Sequence, residues 1–96
     1  MERLLIMLES EVERYFKWRI ERLGGKSFKF TSPGVSGVVD RIAALPDGRT
    51  LWVELKTKGG KLSELQKRHG LELIKLKQNY TVLWTKEQID EYINSL

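Results

Sequence analysis

The sequence predicts one small α/β domain with its elements in the order α-β-β-β-α-β-α. The main reason is a pair of apolar runs, Val38 to Leu45 and Leu51 to Leu55, on either side of the turn signal Pro46-Asp47-Gly48. This pattern is typical of a β-hairpin. Helical periodicity before and after the hairpin supplies the α elements. The chain has 96 residues, enough for a single domain over residues 1–96.

The first helix is predicted over residues 3–23, because apolar residues recur on one side of it at about 100° per residue. These residues are Leu4, Leu5, Leu8, Val12, Tyr15, Phe16 and Leu23. Gly24-Gly25 ends the helix, as glycine commonly does. Alternation over Ser27 to Thr31, with Phe28 and Phe30 on one face, then predicts the first strand.

Two capping-box spacings mark the starts of later helices. Ser63 is followed three residues on by Gln66, and Thr85 by Gln88, so that each pair can satisfy free N–H groups of a first helical turn. The first of these helices is predicted to extend to about Gln78.

Between the hairpin and this helix, Thr57 to Lys61 contains Gly59-Gly60 among lysines and is predicted to be a mobile basic loop. The last strand is predicted over Tyr80 to Trp84. The helix before it should return this strand beside an existing one. We therefore expect a central, mixed four-stranded sheet flanked by helices.

Composition excludes several kinds of protein. The chain has no cysteine and one histidine, which removes disulfides and leaves too few ligands for a zinc site. No apolar run approaches the roughly 20 residues of a membrane helix, and the N-terminus does not resemble a signal peptide. We therefore expect a cytoplasmic protein without a membrane partner. A net charge of +4 permits a polyanionic partner but does not require one.

Charged residues interrupt the apolar hairpin, among them Asp40, Glu54 and Lys56. Residues two apart on a strand point to the same face, so Glu54 and Lys56 should lie together. Carboxylates beside an amine can hold a divalent metal next to a hydrolytic site. The alternative is a cross-strand ion pair on a half-exposed sheet.

These residues resemble the motif of the PD-(D/E)xK nuclease superfamily, an acid followed on the next strand by Glu-x-Lys. The flanking segments are similar to those of the VRR-NUC family, the virus-type replication-repair nuclease domain. They are Ser32-Pro33-Gly34, Gly37-Val38-Val39-Asp40-Arg41, Val53-Glu54-Leu55-Lys56, and Gly60-Lys61-Leu62-Ser63 with Gln66. The resemblance covers nearly the whole chain and implies a restriction-endonuclease-like fold. One departure is Val39, where the superfamily name has proline.

The resemblance implies a divalent-metal-dependent DNA endonuclease that acts on branched DNA, such as a Holliday junction or a flap. The implied ligands of Mg²⁺ or Mn²⁺ are Asp40, Glu54, Glu11 and the backbone carbonyl of Leu55. Lys56 would orient the attacking water or stabilise developing charge. Gln66 would bind the water or a phosphate, although its capping box explains it equally well. The helical wheel alone does not separate Glu11 from Glu9, which lie at opposite margins of the predicted apolar face.

Basic residues near the motif are the implied contacts to the DNA backbone: Lys58, Lys61, Lys67 and Arg68. A homodimer would supply two sites for a four-way junction, with Ile6, Met7 and Trp18 as its interface. So compact a version suits a phage origin and action in the host cytoplasm. The alternatives are a non-catalytic DNA-binding module of the same fold and a structural protein. The three tryptophans are expected in the core or an interface, with base stacking as the other possibility.

Overall fold

The computed structural model describes residues 9–30, 39–57 and 59–96, and these form the seven elements in the predicted order. They are α1 (Glu9–Arg22), β1 (Lys26–Lys29), β2 (Arg41–Ala44), β3 (Thr50–Leu55), α2 (Glu64–Lys75), β4 (Asn79–Leu83) and α3 (Lys86–Asn94). Residues 3–8 of the predicted first helix lie outside the described residues. So do Thr31, the Ser32-Pro33-Gly34 segment and Lys58.

The four strands form one mixed sheet in the order β1-β2-β3-β4. The first three strands are an antiparallel meander, in which Arg41 lies opposite Val53. β4 returns through α2 and pairs parallel to β3, with Leu83 beside Leu55. The predicted mixed four-stranded sheet is therefore confirmed.

A tight turn joins β2 to β3 and fixes their register. Pro46 occupies the second position of the turn, which its fixed φ suits, and the Gly48 N–H donates to the Leu45 carbonyl at 3.0 Å. Gly48 has a φ of 94°, a conformation in which a side chain would be strained. The strands resume at once, since the Leu45 N–H donates to the Arg49 carbonyl at 2.9 Å.

The apolar core lies on one face of the sheet, between the strands, α1 and α3. It consists of Val12, Phe16, Ile20, Ala43, Leu45, Leu51, Val53, Leu55, Leu83, Ile89 and Ile93. Asp90 of α3 accepts hydrogen bonds from Tyr15 and Arg19 of α1, so the two helices are also joined at their polar margin.

The even-numbered strand residues point to the opposite face, where α2 packs over β4. Contact is close at Gly70, where an added Cβ would lie 2.6 Å from the Tyr80 ring. Among the residues that the structure describes, no helix is long and apolar enough to cross a membrane.

Candidate active site

Asp40 lies where β2 separates from β3, and its backbone carbonyl and its carboxylate point toward different neighbouring strands. Its backbone carbonyl stays with β1, where it accepts from the Phe30 N–H at 2.7 Å. Its carboxylate extends to β3, where Oδ2 accepts from the Leu55 N–H at 3.1 Å. The Asp40 carboxylate thus accepts from the Leu55 N–H, which would otherwise form the next backbone hydrogen bond between β2 and β3.

This geometry also orients the carbonyl of Leu55. The N–H of the following residue, Lys56, donates to the Leu83 carbonyl on the β4 side at 2.9 Å. In an extended strand the N–H and C=O of one residue point to the same edge, and successive residues alternate. The Leu55 carbonyl therefore faces the same side as the Asp40 carboxylate.

Glu54 lies opposite Asp40 in the register and is 1% exposed. Burial raises the pKa of its carboxyl from an ordinary 4.5 to about 8, and a hydrogen bond and the negative charge from Asp40 contribute further. Glu9 raises this pKa as well, whereas the Lys56 ammonium lowers it. Near neutral pH the Glu54 carboxyl therefore tends to keep its proton, and a cation bound at the site would compete with that proton.

Gln66 serves two partners with the two ends of its side-chain amide. Its side-chain Oε1 accepts from the Ser63 N–H at 2.8 Å, and its backbone N–H donates to the Ser63 Oγ at 3.1 Å. This is the predicted capping box. Its Nε2 donates to Glu54 Oε2 at 3.3 Å. The capping role and the contact with the acidic pair therefore coexist, because they use different atoms.

The structure does not bring Glu11 to this pair. The buried residues of α1 are Val12, Phe16 and Ile20. At about 100° per residue, Glu9 lies about 20° from the centre of that buried face and Glu11 about 140° from it. Glu11 instead lines the outer surface of the helix with Trp18. Glu9 is the helix acid whose charge reaches Glu54.

The basic residues occupy the loop after β3 and the exposed surface of α2. Lys61 and Arg68 are exposed, and Lys67 forms an ion pair with Glu64 at 3.3 Å. Lys58 lies outside the described residues. The loop that the sequence predicts to be mobile is anchored at Gly60, because its carbonyl accepts from the Trp84 indole N–H at 2.9 Å.

Tyr80 is a neighbour of the site that sequence reasoning did not identify. Burial raises the pKa of its phenol, and so do the charges of Glu54 and Asp40. Its ring rests against Gly70 of α2, one turn after Gln66. The Tyr80–Gly70 contact therefore sets how closely α2, and with it Gln66, approaches the acidic pair.

The donor set fits a hard divalent cation. Within the described ranges no group of three or more His, Asp or Glu side chains surrounds a potential metal position. The Asp40 and Glu54 carboxyl groups are in contact, however, and the Leu55 carbonyl faces the same side as Asp40. Mg²⁺ is usually held by one or two carboxylates with water as its remaining ligands. The repulsion between the two carboxylates gives such an ion a physical reason to bind, because its positive charge would relieve it.

The chain is similar in sequence to "Putative nuclease p44" of Acyrthosiphon pisum secondary endosymbiont phage 1. The two are 36% identical over 78 residues, which make up 81% of this chain and 84% of the relative. A solved structure described as a VRR_NUC domain matches with a TM-score of 0.85 and 33% identity, covering 90% of this chain and 94% of that one. This chain belongs to the VRR-NUC family. No protein-family model matches it.

Membership confirms the resemblance drawn from the motifs and the α/β fold that it implied. The VRR-NUC domain keeps its acid pair, Asp40 and Glu54, at the edge where β2 and β3 diverge. Replacement of the superfamily's proline by Val39, which is buried, leaves the Asp40 side chain directed at β3.

The raised pKa of Glu54 predicts that the metal-free VRR-NUC domain loses stability as pH rises. The folded protein keeps a proton that the unfolded chain releases above about pH 4.5, so this stability is complete below that pH and is lost through about pH 8. At about 1.4 kcal/mol per pKa unit, we expect the unfolding free energy to fall by about 4 kcal/mol between pH 5 and pH 9. Denaturant titrations in EDTA measure it.

Glu54→Gln should remove most of that dependence and stabilise the protein at pH 9, because an amide mimics the protonated carboxyl. Glu11→Gln is the control, since it removes an exposed acid on the outer face of α1. An unchanged slope in Glu54→Gln would contradict the assignment of the raised pKa.

Gln66→Ala and Gln88→Ala form a matched pair that distinguishes the effect of losing a helix cap from the effect of losing the contact with Glu54. Both glutamines accept from a backbone N–H at a helix start, Gln66 from Ser63 and Gln88 from Trp84. Each change should cost about 1 kcal/mol of stability. Only Gln66→Ala removes a donor from Glu54, which should raise the pKa of that carboxyl further, by about one unit. Carboxyl titration by NMR checks it; equal titration curves in the two variants would count against the contact.

Proposed function

We propose that this VRR-NUC domain is a divalent-metal-dependent endonuclease that hydrolyses phosphodiester bonds in DNA. The observation that supports it best is the contact of the buried Glu54 carboxyl with the half-buried Asp40, beside Lys56. An acid pair with a carboxyl removed from water is unfavourable for folding, and a structural protein would gain nothing from it. A catalytic site would gain the ability to bind a cation.

Mg²⁺ or Mn²⁺, held by Asp40, Glu54 and the Leu55 carbonyl, would supply charge neutralisation at the phosphate and a water of lowered pKa. The chain's own residues arrange the remaining chemistry. Lys56 follows the strand that ends beside the pair, where its ammonium orients the attacking water and stabilises developing negative charge. Gln66 holds Glu54 in place through Nε2.

Glu9 is the better candidate than Glu11 for the acid that the family places on the first helix. It lies in the first turn of α1 on the sheet-facing side, and its charge acts on Glu54. From that position it would bind a water of the metal or the metal itself. Glu11 points away from the site and has no such role in this proposal.

The DNA backbone would bind to the basic surface beside the site, with Lys61, Lys67 and Arg68 as contacts and Lys58 from the same loop. The net charge of +4 supports a polyanionic partner. Such contacts depend strongly on salt and carry no sequence information. Anchoring of the loop by Trp84 would hold these lysines near the cleaved phosphate.

The preferred substrate in this proposal is branched DNA, and the active form is a homodimer. Four-way junctions offer two symmetric strands, which a two-fold dimer can cut with one site from each protomer. Trp18 is 50% exposed on the outer face of α1, beside Arg22, whose guanidinium lies 5.2 Å from its ring. An exposed tryptophan of this kind suits a dimer contact. The phage source of the relative is consistent with action in a host cytoplasm.

Cleavage should require Mg²⁺ or Mn²⁺ and stop in EDTA. Asp40→Asn and Lys56→Ala should each lower the rate by at least about 100-fold while DNA binding remains. The measurement is cleavage of labelled linear, flap and four-way-junction DNA, beside binding of the same DNAs. If the wild type bound every substrate and cut none, the protein would instead be a non-catalytic DNA-binding module.

Glu9→Gln and Glu11→Gln differ only in which face of α1 loses a charge. We expect Glu9→Gln to raise the Mg²⁺ concentration needed for half-maximal cleavage by about tenfold, and Glu11→Gln to leave it within about twofold. Metal titrations of the cleavage rate check this. The reverse order would return the helix acid to Glu11.

A further inference from the structure

A row of apolar and aromatic side chains lies beside the acidic pair on the same face of the sheet. The register places Phe28, Ile42, Trp52 and Tyr80 side by side across the four strands. Asp40 and Glu54 stand two residues further along β2 and β3, on the same face. The spacing along the strands is about 7 Å. We call Phe28, Ile42 and Trp52 the aromatic row.

The β1 end of this row is open to solvent. α2 packs over β4, whereas Phe28 is 48% exposed and Phe30, the neighbour of Asp40, is 39% exposed. Two exposed phenylalanines on the face of a small sheet are unfavourable in water. What sets them apart from the other exposed apolar residues is their position beside Asp40, where a ligand of the site would meet them.

Polar groups at the row suit an anionic partner with aromatic rings. The Lys26 ammonium lies 5.0 Å from the centre of the Phe28 ring, and Lys26 is exposed. The Trp52 indole N–H donates to Gln78 Oε1 at 3.0 Å, so the ring is fixed and its only donor is satisfied. The row thus offers a fixed indole on β3 and, on β1, a phenyl ring beside a lysine. Nucleobases stack on such rings while their phosphates meet the positive charge.

We propose that the aromatic row binds a nucleobase of an unpaired nucleotide adjacent to the cleaved phosphodiester. This inference rests on the proposed function and narrows its substrate class. Bases inside a duplex are stacked on each other and cannot reach the row. The substrate must therefore offer an unpaired or easily unpaired nucleotide within about 7 Å of the acidic pair.

A nucleobase explains the row better than a second copy of this chain does. The row and the acids occupy one continuous face of the sheet, and they are two residues apart along β2 and β3. A folded protein that covered Phe28 and Trp52 would also cover Asp40 and Glu54 and exclude DNA from the site. A single base leaves the half-buried Asp40 within reach of the DNA.

The test compares Phe28→Ala with Leu71→Ala. Leu71 is 61% exposed on α2, so its truncation removes apolar surface away from the row. Binding is measured in EDTA by fluorescence anisotropy, with a flap DNA and with the same DNA carrying abasic nucleotides next to the branch. Phe28→Ala should weaken binding of the flap at least fivefold and leave the abasic DNA unchanged. Leu71→Ala should alter neither.

Three results would overturn the inference. The first is equal flap affinity in Phe28→Ala and Leu71→Ala. The second is a wild type that binds flap and abasic DNA alike. The third is a change of sedimentation coefficient in Phe28→Ala, which would assign the row to a contact between copies. Thermal unfolding shows that each variant is folded.

Because this binding assay needs neither metal nor cleavage, its failure is distinct from failure of the proposed enzyme. Cleavage by the wild type together with base-independent binding would reject base binding by the aromatic row and leave the nuclease proposal intact. Base-dependent binding without cleavage would support base binding and reject the nuclease proposal.

Discussion

Removal of the Glu54 carboxyl from water, opposite a second carboxyl, is the constraint on which the rest of the site depends. Two carboxyl groups in contact, one of them buried, disfavour two negative charges, so the surrounding groups donate hydrogen bonds or supply positive charge. The Leu55 amide donates to Asp40, Gln66 donates to Glu54, and the Lys56 ammonium lowers the pKa of Glu54. Each of these groups comes from a different local structure: a strand end, a helix cap and a loop. In the proposed function, a divalent cation would complete this balance of charge.

The sequence predicts best those features that depend on neighbouring residues. The hairpin turn, the capping box at Ser63 and the order of the elements all follow from short patterns, and the structure confirms them. The helix acid depends on which face of α1 is buried, and that is a tertiary property. The predicted apolar face included Tyr15 and omitted Ile20, which turned its centre away from Glu9. The contact of Tyr80 with Gly70 joins segments from two elements, so no local pattern could reveal it.

Gln66 shows how a local rule and a tertiary contact can occupy one side chain. A capping box uses only the oxygen of a glutamine amide and leaves its two N–H donors free. Glutamate in the same position would complete the cap equally well but would add a third negative charge beside Asp40 and Glu54. The choice of glutamine at this helix start thus carries information about the site, although either residue would satisfy the helix.

The turn at residues 46–48 has a consequence for mutational tolerance. Surface turns commonly accept insertions, because little depends on their length. Here the length fixes which residue of β2 faces which residue of β3. A slip of one residue would send Asp40 and Glu54 to opposite faces of the sheet, and a slip of two would part them by about 7 Å. Because the same slip would displace the core residues of β2 or β3, loop-length variants of this distant turn would disturb the acid pair and the core together.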